Sequence, residues 1–239
     1  MNHQLKVSLV MSMIFTGCTA TFEPRLNSYD LSKSRLPTAK EVQAGVEVSV
    51  EEYVSANKSL KAFDADVAQK GVLPLLIRLE NKGAEDCKIQ RSRVRAFLDG
   101  QPLSQMYGIE AAQLGAKRDG TWNALVNTAA IGPLAIYFWP ATMAGSFSQA
   151  KTINRKIEQH FESLELADTA VKPGDTAAGF VFFKMPDYRN KLDKVTVELT
   201  LETEEFEESG GKRLRYKFSL PTLEIGGPGS ASTISEGDH

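Results

Sequence analysis

The chain has 239 residues, of which 42% are hydrophobic and 24% charged, enough for one globular domain with an elaboration. A core of that size needs no disulfide framework. The formal net charge of −2 excludes a broadly basic nucleic-acid binder, so no nucleic-acid partner is expected.

The first residues read MNHQLKVSLVMSMIFTGCTA. Lys6 precedes an uncharged apolar run, Val7 to Phe15, that is too short to cross a bilayer as a helix but suits the apolar part of a signal peptide. The run ends in Phe15-Thr16-Gly17-Cys18, which resembles the bacterial lipobox, although Phe15 stands where an aliphatic residue is usual. The resemblance implies that residues 1–17 are a lipoprotein signal peptide and that Cys18 is lipidated and becomes the mature N-terminus. Thr19 in place of Asp directs such a protein, by the same resemblance, to the outer membrane, facing the periplasm. The alternative is ordinary secretion with cleavage after Ala20, giving a soluble secreted or periplasmic protein. Either way Cys87 is the one thiol left, expected as a small buried hydrophobe.

Residues 18–44 have no sustained period and contain two prolines, and are read as a tether. Order is expected from residue 45. Val46, Val48 and Val50 alternate with Glu47, Ser49 and Glu51, the pattern of a half-buried strand. A polar connection leads to GVLPLLIRLENKG, with Leu75, Ile77 and Leu79 on one face and a turn at Asn81-Lys82-Gly83. In RSRVRAFLDG, Val94, Ala96 and Leu98 share a face, Arg91, Arg93 and Arg95 the other, and Asp99-Gly100 is a hairpin signal.

The second half has the same style. Leu164, Leu166 and Val171 precede the turn Lys172-Pro173-Gly174-Asp175 and the apolar strand GFVFFKMP. KVTVELTLET alternates without a break, and RLRYKFSLP answers it across the acidic, Gly-Gly-containing stretch 204–211. These seven or eight short strands predict a mainly β fold, an immunoglobulin-like antiparallel β-sandwich spanning residues 45–225. The Gly- and Ser-rich residues 226–239 are expected to be disordered. Pro173-Gly174, then Gly179, Phe180, Phe182 and Pro186, resemble a segment of uncharacterised Gram-negative envelope lipoproteins with a telokin-like sandwich. That resemblance implies a fold and no activity.

At about 108–163 the period changes to helical. Ile153, Ile157, Phe161 and Leu164 define an amphipathic helix, and IEAAQLGAK precedes it with helix-forming composition. Between them, residues 121–150 contain no Asp, Glu, Lys or Arg. One crossing of a membrane there would part the two halves of the sandwich, and two crossings need roughly 40 apolar residues. The expectation is a folded insertion in which Ile136, Tyr137, Phe138 and Trp139 form core, a membrane-interface contact or a partner contact.

No catalytic constellation, metal site or cofactor is expected. Beyond the signal region the histidines are His160, read as a solvated helix-face residue, and His239 in the tail. Glu202, Glu204, Glu205, Glu207 and Glu208 read as a solvated hairpin tip that can pair with the arginines of RSRVRAF. Three functions remain open at this stage. They are a non-enzymatic module that is anchored to the membrane by its N-terminal lipid and binds or scaffolds a protein partner in the envelope, a lipid-handling or membrane-perturbing protein, and a carboxylate-based envelope hydrolase.

Overall fold

A computed structural model of the chain describes residues 22–27, 31–32, 37–117, 135–186, 190–203 and 213–225, with side chains of the long helix described from residue 150. The chain divides into two compact units, Met1–Glu23 with Lys117–Ile157 and Pro24–Ala116 with Glu158–His239. In chain order the elements are β1 (Ala39–Gln43), β2 (Val46–Glu52), α1 (Ala56–Phe63), β3 (Val72–Asn81), β4 (Cys87–Ile89) and β5 (Val94–Leu98). There follow β6 (Gln101–Pro102), β7 (Ser104–Met106), α2 (Gly108–Gly115), α3 (Ala135–Leu164), β8 (Thr169–Val171) and β9 (Thr176–Lys184). The last four are β10 (Lys191–Leu192), β11 (Val195–Thr203), β12 (Arg213–Ser219) and β13 (Leu223–Glu224). Helix α3 runs from the first unit into the second; every other element belongs to the second.

The fold is an antiparallel β-sandwich, as the alternation predicts. One large sheet has the order β1-β2-β3-β9-β7, the second large sheet runs β6-β5-β11-β4-β8, with β12 on β11, and β10 and β13 pair as a separate two-stranded sheet. The facing sides of the two large sheets supply one core. Val46, Val48 and Val50 of β2, Leu73 to Leu79 at alternate positions of β3, and Val181 and Phe183 of β9 come from the first sheet. From the second come Val94, Ala96 and Leu98, the four inward residues of β11 from Val195 to Leu201, and Leu214, Tyr216 and Phe218. Each inward Val, Leu, Ile or Phe contributes about 1.5–3 kcal/mol of burial, so the period-2 pattern sets the register of both sheets. The hairpin at Asp99-Gly100 forms with both residues at positive φ, 52° and 79°.

A third layer, of helices, packs on the first sheet, and there the amphipathic helix expected from the sequence buries Phe161 against Phe182. The strand β3 is buried on both faces, because Leu76, opposite Phe180 of β9, lies on the side away from the sandwich core. There Phe63 of α1 stacks on Phe161 of α3 with ring centroids 4.8 Å apart, and Phe180, Phe182 and Tyr53 close the cluster. The apolar run in GFVFFKMP thus serves two cores. Val181 and Phe183 face one, and Phe180 and Phe182 the other.

Two elements depart from the sequence reading. The tether expected at 18–44 contains β1, which pairs with β2 through a turn at Ala44-Gly45, both at positive φ. As an edge strand carrying Lys40, Glu41 and Gln43, it offers little alternation to read. The polar connection before β3 contains α1. Its three buried residues, Ser59, Ala62 and Phe63, include a serine whose hydroxyl donates to Ala65 O and accepts from Val67 N–H.

Polar side chains hold the corners. Asn81 is fully buried; its amide donates to Glu85 O and Val171 O, both at 2.8 Å, and its oxygen accepts from Gly83 N–H. The Tyr216 hydroxyl donates to Val46 O at 2.9 Å, tying β12 to the opposite sheet, and burial raises its pKa.

Candidate functional site

The insertion expected at about 108–163 begins and ends at one place on the sandwich. Gly108 opens α2 and Phe161 lies near the end of α3, and a Cβ on Gly108 would stand 2.9 Å from Phe161 O. Only glycine permits that approach. Glu165, just past α3, accepts from Gly108 N–H at 3.0 Å with one carboxylate oxygen and from Arg91 Nη1 at 2.6 Å with the other. Arg91 also donates to Met106 O at 3.0 Å, lies 4.0 Å from the centre of the Tyr107 ring, and gives its backbone N–H to Asp168. Tyr107 N–H donates to Glu110 at 2.7 Å, capping α2. The arginine, the carboxylate and the glycine form a clamp across the neck of the insertion. With side chains only 15% and 17% exposed, the Arg91–Glu165 pair is screened far less than a surface pair.

The arginines expected on one strand face are not on one strand. Arg91 and Arg93 lie in a 3₁₀ turn, Arg91–Arg93, and only Arg95 belongs to β5. The strand breaks there because β4 and β5 pair with the same edge of β11 in different registers. Five residues, 89–93, stand against two, Thr200 and Leu201. The break sends Arg91 to the neck and leaves Arg93 to pair with Glu202 at 2.7 Å. The expected pairing of these arginines with the acidic hairpin therefore forms at Glu202; Glu204, Glu205, Glu207 and Glu208 lie outside the described residues.

His160 is half-buried, not the fully solvated residue expected. Its Nε2 lies 2.7 Å from Ala62 O, and burial lowers its pKa below the ordinary histidine range, the hydrogen bond opposing the shift. The α3 face expected to meet water at this position meets α1 instead. Cys87 is buried and carries no disulfide, its thiol pushed up to about 11 by desolvation and then by Asp86. Ile136, Tyr137, Phe138 and Trp139 belong to α3 by their backbone, and their side chains lie outside the described residues. Cys18 lies outside them as well.

No described helix is long and apolar enough to cross a membrane. Among the described residues, no three or more His, Cys, Asp or Glu side chains are grouped to hold a metal ion.

No family model matches the chain, and no curated protein sequence does. Among solved structures it is similar to the ycdA protein of Bacillus subtilis subsp. subtilis strain 168, a candidate lipoprotein. The two are 12% identical, with a TM-score of 0.34, over 78% of this chain. The match covers 39% of that protein, so this chain spans about two fifths of its length. It is also similar to the yjhA protein of Bacillus subtilis, 11% identical over 76% of this chain and 96% of that one, with a TM-score of 0.35. Likeness this slight carries no argument about function.

Proposed function

We propose that this protein is a lipid-anchored envelope module, not an enzyme, that binds another envelope component through its insertion. The clamp at the neck is the observation that carries the reading. Arg91 and Glu165 tie the start of α2 and the end of α3 to one point of the sandwich, and the chain between them includes the uncharged stretch 121–150. Ile136, Tyr137, Phe138 and Trp139 are the contact residues of this proposal, large apolar groups of the kind that anchor interfaces. Anchoring is assigned to a lipidated Cys18 and localisation to the outer membrane, facing the periplasm, on the lipobox resemblance.

Crosslinking in native membranes tests the binding role. A protein lacking residues 121–150 should lose the crosslinked species formed by the full chain while keeping its sandwich. Unchanged crosslinking would end the proposal. Liposome binding that depends on the same residues without any protein crosslink would replace it by the lipid-handling alternative.

A further inference from the structure

We infer that the outer face of the second sheet binds a compact, soluble phosphate-bearing ligand in a depression of about 310 Å³ lined by Arg93, Arg95, Glu198, Thr200, Arg213 and Arg215. The chain as a whole is slightly acidic, yet four guanidinium groups surround one carboxylate here.

The placement follows from strand register. On β11, the residues between the inward Val197, Leu199 and Leu201 point outward, which puts Glu198, Thr200 and Glu202 in a row on the surface. Arg95 of β5 stands across from Glu198 on one side, and Arg215 of β12 across from Thr200 on the other. The two arginines thus come from opposite neighbours of β11, offset by two residues along it, and share the depression's lining with Thr200.

Charge bookkeeping then decides which groups are open to a ligand. Glu198 is engaged by Lys217 at 3.0 Å. Glu202 is engaged by Arg93 at 2.7 Å and, more loosely, by Arg213 at 4.0 Å. Among the described residues, Arg95 and Arg215 have no ion-pair partner, and both are exposed. Two unneutralised planar forks beside a hydroxyl suit a tetrahedral oxyanion with several acceptor oxygens. The lining contains no aliphatic or aromatic residue, which favours a soluble phosphorylated ligand over a lipid head group inserted with its chains.

The test is calorimetric titration of full-length protein with inorganic pyrophosphate at low salt, beside vesicles containing phosphatidic acid. Arg95→Ala combined with Arg215→Ala should weaken pyrophosphate binding at least about tenfold. Arg95→Lys with Arg215→Lys, which keeps charge but removes the forks, should recover only part of it. Lys40→Ala with Lys82→Ala removes equal charge from residues that pair with Glu47 on the other sheet, and should leave binding unchanged. No pyrophosphate binding, binding to vesicles alone, or equal losses from the arginine and lysine pairs would each overturn the inference.

Discussion

Glu165 is one carboxylate serving two ends of a long insertion, and its removal should be felt more than that of a surface acid. Glu165→Ala leaves Arg91 and Gly108 N–H without their acceptor and should cost about 1–3 kcal/mol in urea unfolding. Lys191→Ala removes only a pair with Asp193 at 3.7 Å whose side chains are more than half exposed, and should cost less than about 0.5 kcal/mol. Equal costs would remove the clamp from the account. His160 makes a second residue-scale case. Its folded pKa lies below the unfolded value, so the unfolded chain takes up the proton first as pH falls. Its contribution to stability is therefore present above the ordinary histidine range and is lost as pH drops through the lowered folded pKa. Unfolding measured between pH 7.5 and about 4.5 should show a decline that His160→Gln makes shallower. Parallel profiles for the two proteins would contradict the lowered pKa of this half-buried histidine. Cys87 should stay unreactive to a thiol reagent at pH 8 until the protein is unfolded, since its pKa near 11 and its burial both suppress the thiolate.

At the scale of elements, Gly179 explains why one strand of the sandwich needs a glycine in its middle. A Cβ there would lie 2.4 Å from Leu166 Cα, where the chain leaving α3 crosses β9 and Leu166 N–H donates to Phe180 O. Gly179→Ala must push backbone from backbone and should cost about 2 kcal/mol or more, read as a fall in melting temperature. An unchanged melt would mean that this crossing is loose. The glycine was visible in GFVFFKMP, but its reason was not, because the close approach joins residues distant in sequence. The same limit explains the other differences between sequence and structure. Strands β2, β3, β5, β11 and β12 show their inward faces by alternation alone. Helix α1 hides its role, since one phenylalanine and two small residues do its packing. The clamp at the neck was the least legible feature. Arg91 looked like one of three arginines on a strand, and only the register break between β4 and β5 turns it toward Glu165.

For the whole molecule, the two halves of the chain depend on each other. Strand β9 pairs with β3, and β11 with β4 and β5, so each sheet combines strands from before and after the insertion. A fragment of residues 164–225 would expose the apolar faces of β9 and β11 and should not show a cooperative thermal transition. A monomeric, cooperatively melting fragment would refute the single sandwich. By contrast, the described core of the sandwich is drawn wholly from residues outside 117–157.

The central claim, that the insertion is a contact element and the end of α3 is core, is tested most directly by a paired comparison of Trp139→Ala and Phe161→Ala. Phe161 is fully buried and stacked on Phe63, so its loss should cost about 3–5 kcal/mol and lower the melting temperature sharply. Trp139→Ala should leave the melting temperature nearly unchanged and abolish crosslinking to the envelope partner. Equal, large destabilisation by both substitutions, or undiminished crosslinking by the Trp139 variant, would contradict the account.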